Sequence, residues 1–326
     1  MNVEFHYYAI HALALEAGFD ADTARIMASA SQYVDTSTTA LAFDAPQGRV
    51  DVAVTQNYVF WDDSVRRDIY LPFHFLPGEP QVSSALRKDG ASNPYAVTAN
   101  STLAKELLVG AFRDKDPYIM GVALHAFADT WAHQNFAAQS ASWNELDSGM
   151  SALGLPAAGH LHALSAPDEP DRTWTDSRLV PAKRTVVNTR RFADAARKIF
   201  RYFRVFLGKP FDDDDLVVER LASIWADPSR DGRLAEYCIR YDLGPWDAQS
   251  WRLAAGAPPD RSPLAGVRHY DKLAWAKAEL ARALRGGLKA IPVSSSLYQS
   301  ELYQWHQAAT EYRLRAQAAL AKRGLL

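Results

Sequence analysis

The chain has 326 residues, of which 48% are hydrophobic and 23% charged, and this composition excludes an intrinsically disordered protein. A formal net charge of -2 leaves no overall field that would attract nucleic acid or an anionic membrane surface. The single cysteine, Cys238, excludes an internal disulfide and leaves imidazole nitrogen and carboxylate oxygen as the metal ligands to consider.

The N-terminal sequence and the hydropathy bear on location. The chain starts with an acid, Glu4, and a histidine, His6, where a secretion signal carries basic residues followed by an apolar run. No segment reaches the ~18 consecutive apolar residues that a membrane helix needs. We therefore expect a cytoplasmic protein with no membrane partner.

Hydrophobic periodicity predicts helices along most of the chain. Apolar spacing over 5–17 predicts a first helix that stops at Gly18. Asp20 or Asp22 is expected to cap a second helix, which would end near Val34. Later helices are predicted, in chain order, over 101–112, 117–136, 184–207, 215–226, 231–242, 268–285 and 297–322.

Other stretches lack this period. Residues 36–100 are predicted to form an irregular insert, with a short hairpin or simply extended chain within 50–60. Gly and Pro punctuate a predicted loop over 153–182, and a Pro/Gly-rich stretch at 256–266 is the best candidate linker. We predict a mostly α-helical, multi-helical bundle. Residues 1–182 would form a metal-binding core, and residues 183–326 would pack on it as a helical continuation of the same domain.

The most informative segment places three possible metal ligands at helical spacing. His125, Asp129 and His133 stand four residues apart, so they would share one face of a helix capped by Asp116 and opened by Pro117. Such a stripe could also be purely structural, because Asp129 could accept hydrogen bonds from both histidines. The positions of the other histidines favour the metal interpretation.

Histidines cluster in the first half of the chain. Seven of the nine lie within residues 1–162, namely His6, His11, His74, His125, His133, His160 and His162. Packing alone does not require such clustering, whereas each zinc ion of a multinuclear site takes roughly four nitrogen or oxygen ligands. His6 and His11 are five residues apart and would point in different directions on a helix, so we favour His6 as the ligand.

The order of these residues resembles that of a known superfamily. His6 stands near the N-terminus, Asp35 ends a helix in Ser31-Gln32-Tyr33-Val34-Asp35, His74 lies in Leu71-Pro72-Phe73-His74-Phe75, and the His125 motif follows. In this order, residues 1–175 resemble the zinc-dependent phospholipases C and the zinc-dependent single-strand nucleases. The chain is also similar to a bacterial family that shares Phe5-His6-Tyr7-Tyr8 and Ala132-His133-Gln134-Asn135-Phe136, which implies zinc chemistry without naming a substrate.

The resemblance implies a fold of the phospholipase C type and two or three zinc ions. It assigns His6 and Asp129 to one ion, Asp35, His74 and His125 to a second that Asp129 bridges, and His133 and His160 to a third. The third ion's remaining ligand stays open among His162, Asp168 and Asp171, and we select Asp168. Family members also use a free N-terminal amine, and the Met1 amine or Glu4 would take that place here.

These inferences predict a zinc-dependent hydrolase that activates water near Asp35. A small phosphoester is the first substrate to expect, without nucleic acid as a partner; the alternatives are an amide or ester of a small metabolite, or a non-catalytic metal-binding helical protein. A row of basic residues along 184–204 could steer an anionic substrate, although a solvated helix face is the simpler interpretation. The sequence leaves the oligomeric state open.

Overall fold

The computed structural model describes residues 1–57, 62–154, 156–259 and 288–326. The protein is mostly α-helical, as predicted. The helices are α1 (Ile10–Ala17), α2 (Ala21–Thr36), α3 (Asp63–Val65), α4 (Pro80–Leu86), α5 (Thr102–Asp114), α6 (Pro117–Ala132), α7 (Asn188–Phe206), α8 (Asp214–Trp225), α9 (Arg230–Tyr241), α10 (Ser250–Ala254) and α11 (Glu301–Ala321). Two π-helical segments adjoin them: Glu4–Ala9 leads into α1, and Arg66–His74 continues α3.

Two small sheets accompany the helices. Strands β1 (Ala42–Ala45) and β2 (Gly48–Asp51) form an antiparallel hairpin, and β5 (Ile291–Pro292) pairs with β1 in parallel. Strands β3 (Thr173–Thr175) and β4 (Thr185–Val187) form a second antiparallel pair. β4 runs directly into α7, so this pair fixes where α7 begins.

Local capping explains where the main helices begin. The side chains of Asp20, Ser101 and Asp116 each accept a hydrogen bond from a backbone N–H in the first turn of α2, α5 and α6. Pro117 occupies the first turn of α6, where no N–H is needed. Gly18 ends α1 with a φ of 100°, a conformation that favours glycine. The sequence indicated Gly18, Asp116 and Pro117 as such signals, left Asp20 and Asp22 as alternatives, and placed Ser101 inside its helix instead of at the cap.

Helix α6 is the centre of the fold. Every residue from Ile119 to Ala132 is buried, including the polar side chains of His125, Asp129 and Thr130, so the helix is enclosed on all sides. It packs against α2, α5, α7 and α11. It approaches α2 closely at Gly121, where an added Cβ would lie 2.4 Å from the carbonyl oxygen of Met27. Side chains of α2 and α6 can therefore meet at short range.

The insert differs from the prediction because much of it is regular. The hairpin lies at Ala42–Asp51 and turns at Pro46-Gln47, so it includes only residues 50 and 51 of the predicted 50–60 stretch. Residues 52–57 belong to no regular element, and residues 58–60 lie outside the described residues. Residues 63–74 are helical, but the Arg66–His74 part is π-helical and contains Pro72, which breaks the 3.6-residue period. The apolar pattern therefore gave no helical signal there.

Two predicted helix ends also differ. Helix α6 stops at Ala132 and His133 is its C-cap, because Asn135 takes a φ of 66° and turns the chain away. Helix α7 starts at Asn188 rather than near 184, because Thr185–Val187 joins a sheet. The helix predicted over 268–285 lies outside the described residues, as does the part of the 256–266 linker beyond residue 259.

Both halves of the chain contribute to one hydrophobic cluster. Phe5 meets Phe192 edge-on with ring centroids 5.4 Å apart, and it stacks on Trp225 at 6.0 Å. The N-terminal segment is thus enclosed by α7 and α8. Within the described ranges, no helix combines the length and apolar character needed to cross a membrane.

Candidate metal centre

The eight sequence-predicted ligands come from separate segments that meet beside α6. His125 and Asp129 lie in the middle of α6, and His133 follows at its end. Asp35 stands in the last turn of α2, and the π-helical segments supply His6 and His74. His160 and Asp168 lie in the loop between α6 and α7. Long-range packing thus brings all eight side chains together.

The ligand atoms form three groups, each with its members within 4.8 Å of one another. The groups are His6 with His125 and Asp129, Asp35 with His74 and His125, and His133 with His160 and Asp168. His125 belongs to two groups, whereas the resemblance assigned it only to the ion shared with Asp35 and His74. A single imidazole nitrogen serves one ion, so these two groups cannot both use the same atom of His125.

The two carboxylate oxygens of Asp129 face different sets of neighbours. Its Oδ1 contacts the Met1 amine and lies 3.1 Å from His6 Nε2. Its Oδ2 lies 3.3 Å from both His74 Nδ1 and His125 Nε2. One carboxylate therefore faces two sets of donors, which is the arrangement that a bridging ligand requires.

Asp35 completes the set on the Oδ2 side. Its Oδ1 lies 3.7 Å from His125 Nε2 and 3.9 Å from His74 Nδ1, and those two nitrogens are 3.3 Å apart. The side chain of Asp35 keeps 14% of its surface exposed, compared with 2% for Asp129 and 5% for Asp168. Asp35 is thus the carboxylate of the centre that solvent reaches most easily.

The third group gathers around Asp168. His133 Nε2 lies 3.2 Å from Asp168 Oδ1, and His160 Nε2 lies 3.5 Å from Oδ2. The two imidazole rings stack with centroids 4.8 Å apart. Asn188, at the start of α7, holds this loop by donating from its amide to the carbonyls of Ala166 and Glu169, on either side of Asp168.

Backbone carbonyls orient three of the histidines. His74 Nε2 lies 2.8 Å from the carbonyl oxygen of Thr55, His133 Nδ1 lies 2.7 Å from that of His74, and His160 Nδ1 lies 2.8 Å from that of Leu164. A carbonyl only accepts, so each of these nitrogens carries a proton and the other nitrogen of each ring faces the carboxylates. Metal-binding histidines are held in this way.

His6 and His125 provide a further test of whether a metal fits. Their rings stack at 3.8 Å, both are fully buried, and the Nδ1 atom of each has no hydrogen-bond partner among the described residues. Their Nε2 atoms face Asp129 at 3.1 and 3.3 Å and are therefore the ring nitrogens that a metal would use. Imidazole nitrogens combined with carboxylate oxygens suit zinc and similar transition ions, whereas calcium and magnesium prefer sites made of oxygen alone.

The electrostatics favour the metal-binding protonation state of Asp129 and His6, whereas burial of His74 is outweighed by attraction to Asp129 and Asp35, which raises the pKa of its imidazole. Burial opposes ionisation of Asp129, but the Met1 amine, His133 and His125 hold the pKa of its carboxyl well below the usual range. Burial, together with repulsion from the Met1 amine and from His125, lowers the pKa of His6 well below its ordinary value. A carboxylate and a neutral imidazole are the forms that ligate metal.

The pKa values of the Met1 amine and of the Asp35 carboxyl are raised. Burial lowers the pKa of the Met1 amine, but attraction to Asp129, Asp168 and Asp35 outweighs it and raises that pKa to about 10. Burial raises the pKa of the Asp35 carboxyl, although His125 and His74 partly offset the effect. Asp35 is thus the more basic carboxylate of the pair that it forms with Asp129.

The comparison with protein families gives one match. The model of a family of unknown function, DUF6765, matches residues 1–320. The chain belongs to this family. Comparison with curated proteins and with solved structures gave no significant match. The chemistry of this DUF6765 member is therefore inferred from its own residues.

The structure distinguishes among the alternatives that the sequence left open. The Met1 amine lies in the centre, whereas Glu4 forms an ion pair with Arg233. Asp168 joins His133 and His160, whereas Asp171 lies 3.5 Å from Arg233.

Other polar residues lie outside the ligand groups. Nδ1 of His162 accepts a hydrogen bond from the backbone of Leu146, and His11 is buried in α1. The basic row of α7 forms ion pairs with the acids at the start of α8, through Arg197–Asp215, Arg201–Asp214 and Arg204–Asp213. These ion pairs favour the interpretation of the row as a solvated helix face over a role in steering an anionic substrate.

Sequence reasoning missed the residues that support the ligands. Thr55 and Leu164 act through backbone carbonyls, which every residue has, so their identities carry no signal. Asn188 and Arg233 come from the second half of the chain, where no motif pointed to the centre. Asn188 could have been suspected only as a helix-start residue.

Proposed function

We propose that this protein is a zinc-dependent hydrolase whose substrate is a small phosphoester. The observation that carries the proposal is the convergence of eight histidine and aspartate side chains on a buried centre, with carbonyls holding three imidazoles by their outer nitrogens. A stripe that served only packing would not need ligands from so many segments. The resemblance to zinc-dependent phospholipases C and nucleases supports the phosphoester as the substrate class.

We assign the ligands to ions by the carboxylate oxygen that each nitrogen faces. His74, His125 and Asp35 would share one ion with Asp129 Oδ2, and His6 would share another with Asp129 Oδ1. His133, His160 and Asp168 would hold a third. When bound, such ions supply Lewis acidity and lower the pKa of a water molecule.

The residues of the chain contribute binding, orientation and proton transfer. We assign to Asp35 the role of holding the attacking water and accepting its proton, because it is the most exposed carboxylate of the centre and burial raises its pKa. Phe75 stacks on His133 with centroids 4.7 Å apart, and it shields this side of the centre from solvent. The buried carboxylates Asp129 and Asp168 would keep their positions throughout the reaction.

The first experiment is elemental analysis of protein purified without chelator and reconstituted with zinc. We expect at least two zinc ions per chain. Protein that holds no metal, even after reconstitution, would contradict the proposal.

The second experiment tests the substrate class. Zinc-loaded protein is assayed on small phosphodiesters, esters and amides, and on single-stranded DNA, RNA and phosphatidylcholine vesicles. We expect metal-dependent turnover of small phosphodiesters, loss of at least 100-fold in Asp35→Asn, and no change in Asp44→Asn, which alters an exposed carboxylate on β1. Turnover of esters or amides alone would favour the alternative substrate class. Faster turnover of nucleic acid or vesicles than of small compounds would overturn the small-substrate proposal.

A second candidate function is a closed, non-catalytic metal centre. Burial favours it, because the side chains of His6 and His125 have no exposed surface and that of His74 has 4%. A structural site is closed by protein ligands, whereas a catalytic site keeps an open position. Azide added to cobalt-loaded protein discriminates the two: a change in the visible spectrum indicates an open position, and an unchanged spectrum supports the closed centre.

A further inference from the structure

A buried ion pair joins the N-terminal π-helical segment to the second half of the chain. Arg233 of α9 donates from Nε to Glu4 Oε1 at 2.7 Å and from Nη2 to Glu4 Oε2 at 2.9 Å. Both side chains are almost entirely buried, with exposed fractions of 4% and 0%. The third guanidinium nitrogen donates to the carbonyl of Asp227 at 2.7 Å, which fixes Arg233 to the start of α9.

Glu4 stands next to the metal centre without belonging to it. It lies two residues before His6, whose Nε2 is 3.1 Å from Asp129 Oδ1, and it belongs to none of the three ligand groups. The guanidinium accounts for both oxygens of Glu4, so neither is directed at a metal. The position of this carboxylate therefore affects that of His6 within the same turn of the π-helical segment.

The other contacts of the segment are single hydrogen bonds or apolar. The hydroxyl of Tyr7 donates to the carbonyl of Gly244 at 3.2 Å, and the hydroxyl of Tyr8 accepts from the backbone N–H of Trp246 at 3.1 Å. Phe5 packs on Phe192 and Trp225, and such apolar contacts hold the segment against α7 and α8 but tolerate rotation about its axis. A two-point bond from a guanidinium to a carboxylate fixes direction as well as distance. Buried ion pairs contribute little net stability, because desolvation of the charges offsets their attraction. A contribution to stability alone therefore explains this ion pair poorly.

We propose that Arg233 is a positioning residue of the metal centre: by clamping Glu4, it sets the rotation of the segment Glu4–Ala9 so that His6 faces Asp129. This inference rests on the proposed metal centre. It gives the second half of the chain a role in a site whose ligands all lie within the first 168 residues.

The test compares Arg233→Met, Arg233→Lys and the double variant Glu4→Gln/Arg233→Met with Arg220→Met. The control removes another ion pair between the halves, because Arg220 of α8 binds Glu16 of α1 away from the ligands. Affinities are measured with Zn²⁺ in competition with a chromogenic chelator, and ligand geometry is followed in the visible spectrum of the Co²⁺ form. Thermal unfolding of the metal-free proteins gives their stability separately.

We expect Arg233→Met to lower the affinity for at least one bound Zn²⁺ ion by about tenfold or more and to change the Co²⁺ spectrum. The loss of a residue that orients a metal ligand has this effect. Arg233→Lys should bind with intermediate affinity, because an ammonium keeps the charge but not the two-point geometry. Arg220→Met should bind as the wild type does. The double variant should regain stability, since no buried charge is left unpaired, without regaining affinity.

Wild-type affinity and spectrum in Arg233→Met would overturn the inference. Recovery of both stability and affinity in the double variant would also overturn it, because the pair would then act only by neutralising buried charge. If Arg233→Met does not fold, Arg233→Lys and the double variant decide by the same criteria. Absence of Zn²⁺ and Co²⁺ binding by the wild type would instead contradict the metal centre itself.

Discussion

At the scale of single residues, Asp129 carries the largest share of the centre's contacts. One carboxylate oxygen faces the Met1 amine and His6, and the other faces His74 and His125. The surrounding positive and polar groups keep this fully buried carboxyl ionised against the cost of burial. Removal of its charge should therefore disturb metal binding and folding together.

We expect Asp129→Asn to lose at least one metal equivalent and about 3 kcal/mol of unfolding free energy, because it removes the nearer of the two carboxylates that pair with the buried Met1 amine and leaves only Asp168 at 3.2 Å. Metal analysis and urea unfolding measure the two effects. The matched control is Asp194→Asn on α7, where the amide oxygen can still accept from Trp131 Nε1. Unchanged metal content and stability in Asp129→Asn would show that His125, Asp129 and His133 form an ordinary buried hydrogen-bond network.

Leu164 shows that the centre also depends on backbone strain. Its φ of 52° and ψ of -128° are unfavourable for a residue with a Cβ, and its side chain is half exposed. This conformation accompanies the bond from its carbonyl to His160 Nδ1 at 2.8 Å. The strained turn therefore helps to direct His160 Nε2 towards Asp168.

Leu164→Gly should raise the free energy of unfolding by about 1 kcal/mol, because glycine adopts this conformation without strain and little packing is lost. Metal content should not change, since the carbonyl is retained. Leu164→Ala is the control, as alanine keeps the strained Cβ and should not stabilise the protein. Chemical unfolding of metal-free protein provides the measurement, and a less stable glycine variant would show that Leu164 is not strained.

At the scale of elements, the contact between α2 and α6 sets the distance between Asp35 and the α6 ligands. Gly121 permits this contact, because a Cβ there would lie 2.4 Å from the Met27 carbonyl oxygen and 2.7 Å from Ala30 Cβ. Backbone at such a distance cannot rotate away as a flexible side chain can. The two helices would have to separate.

Gly121→Ala should destabilise the protein by about 2 kcal/mol and weaken metal binding, because Asp35 would move away from His125. Gly110→Ala in α5 is the control, since nothing lies within 4 Å of its added Cβ and alanine favours a helix by about 0.5–1 kcal/mol. Thermal unfolding and zinc titration of both variants test this. A Gly121 variant that binds zinc as tightly as the Gly110 variant would show that the helix spacing does not control the centre.

At the scale of the whole molecule, the centre connects segments far apart in sequence. Its ligands extend from His6 to Asp168, and Asn188 and Arg233 support them from the second half. Metal binding would therefore stabilise the arrangement of helices as well as a local loop. Ions that bind only the folded state shift unfolding by mass action.

Chelation of the metal should lower the unfolding temperature. The corresponding loss is about 4 kcal/mol when free zinc had exceeded its Kd by about a thousandfold. Scanning calorimetry with and without EDTA measures the effect. Zinc should restore the original transition, whereas magnesium should not, because the centre is rich in nitrogen donors. Restoration by magnesium would contradict the donor assignment, and an unchanged transition would show that the metal does not contribute to stability.

Local sequence was sufficient to predict most of the helices and to select the candidate ligands. Asp20, Ser101 and Asp116 cap their helices through bonds to residues two or three positions away, so local sequence is sufficient to place these ends. It was not sufficient for Arg66–His74, where Pro72 and π-helical geometry remove the period on which prediction depends.

Only the tertiary structure decided how the ligands meet. Residue type reveals that an imidazole or a carboxylate can bind metal, but not which nitrogen is turned inward. That choice depends on the carbonyls of Thr55, His74 and Leu164, and carbonyls are alike in every residue. The clamp between Glu4 and Arg233 spans 229 positions. Such contacts arise from the packing of distant segments, so no local pattern in the sequence contains them.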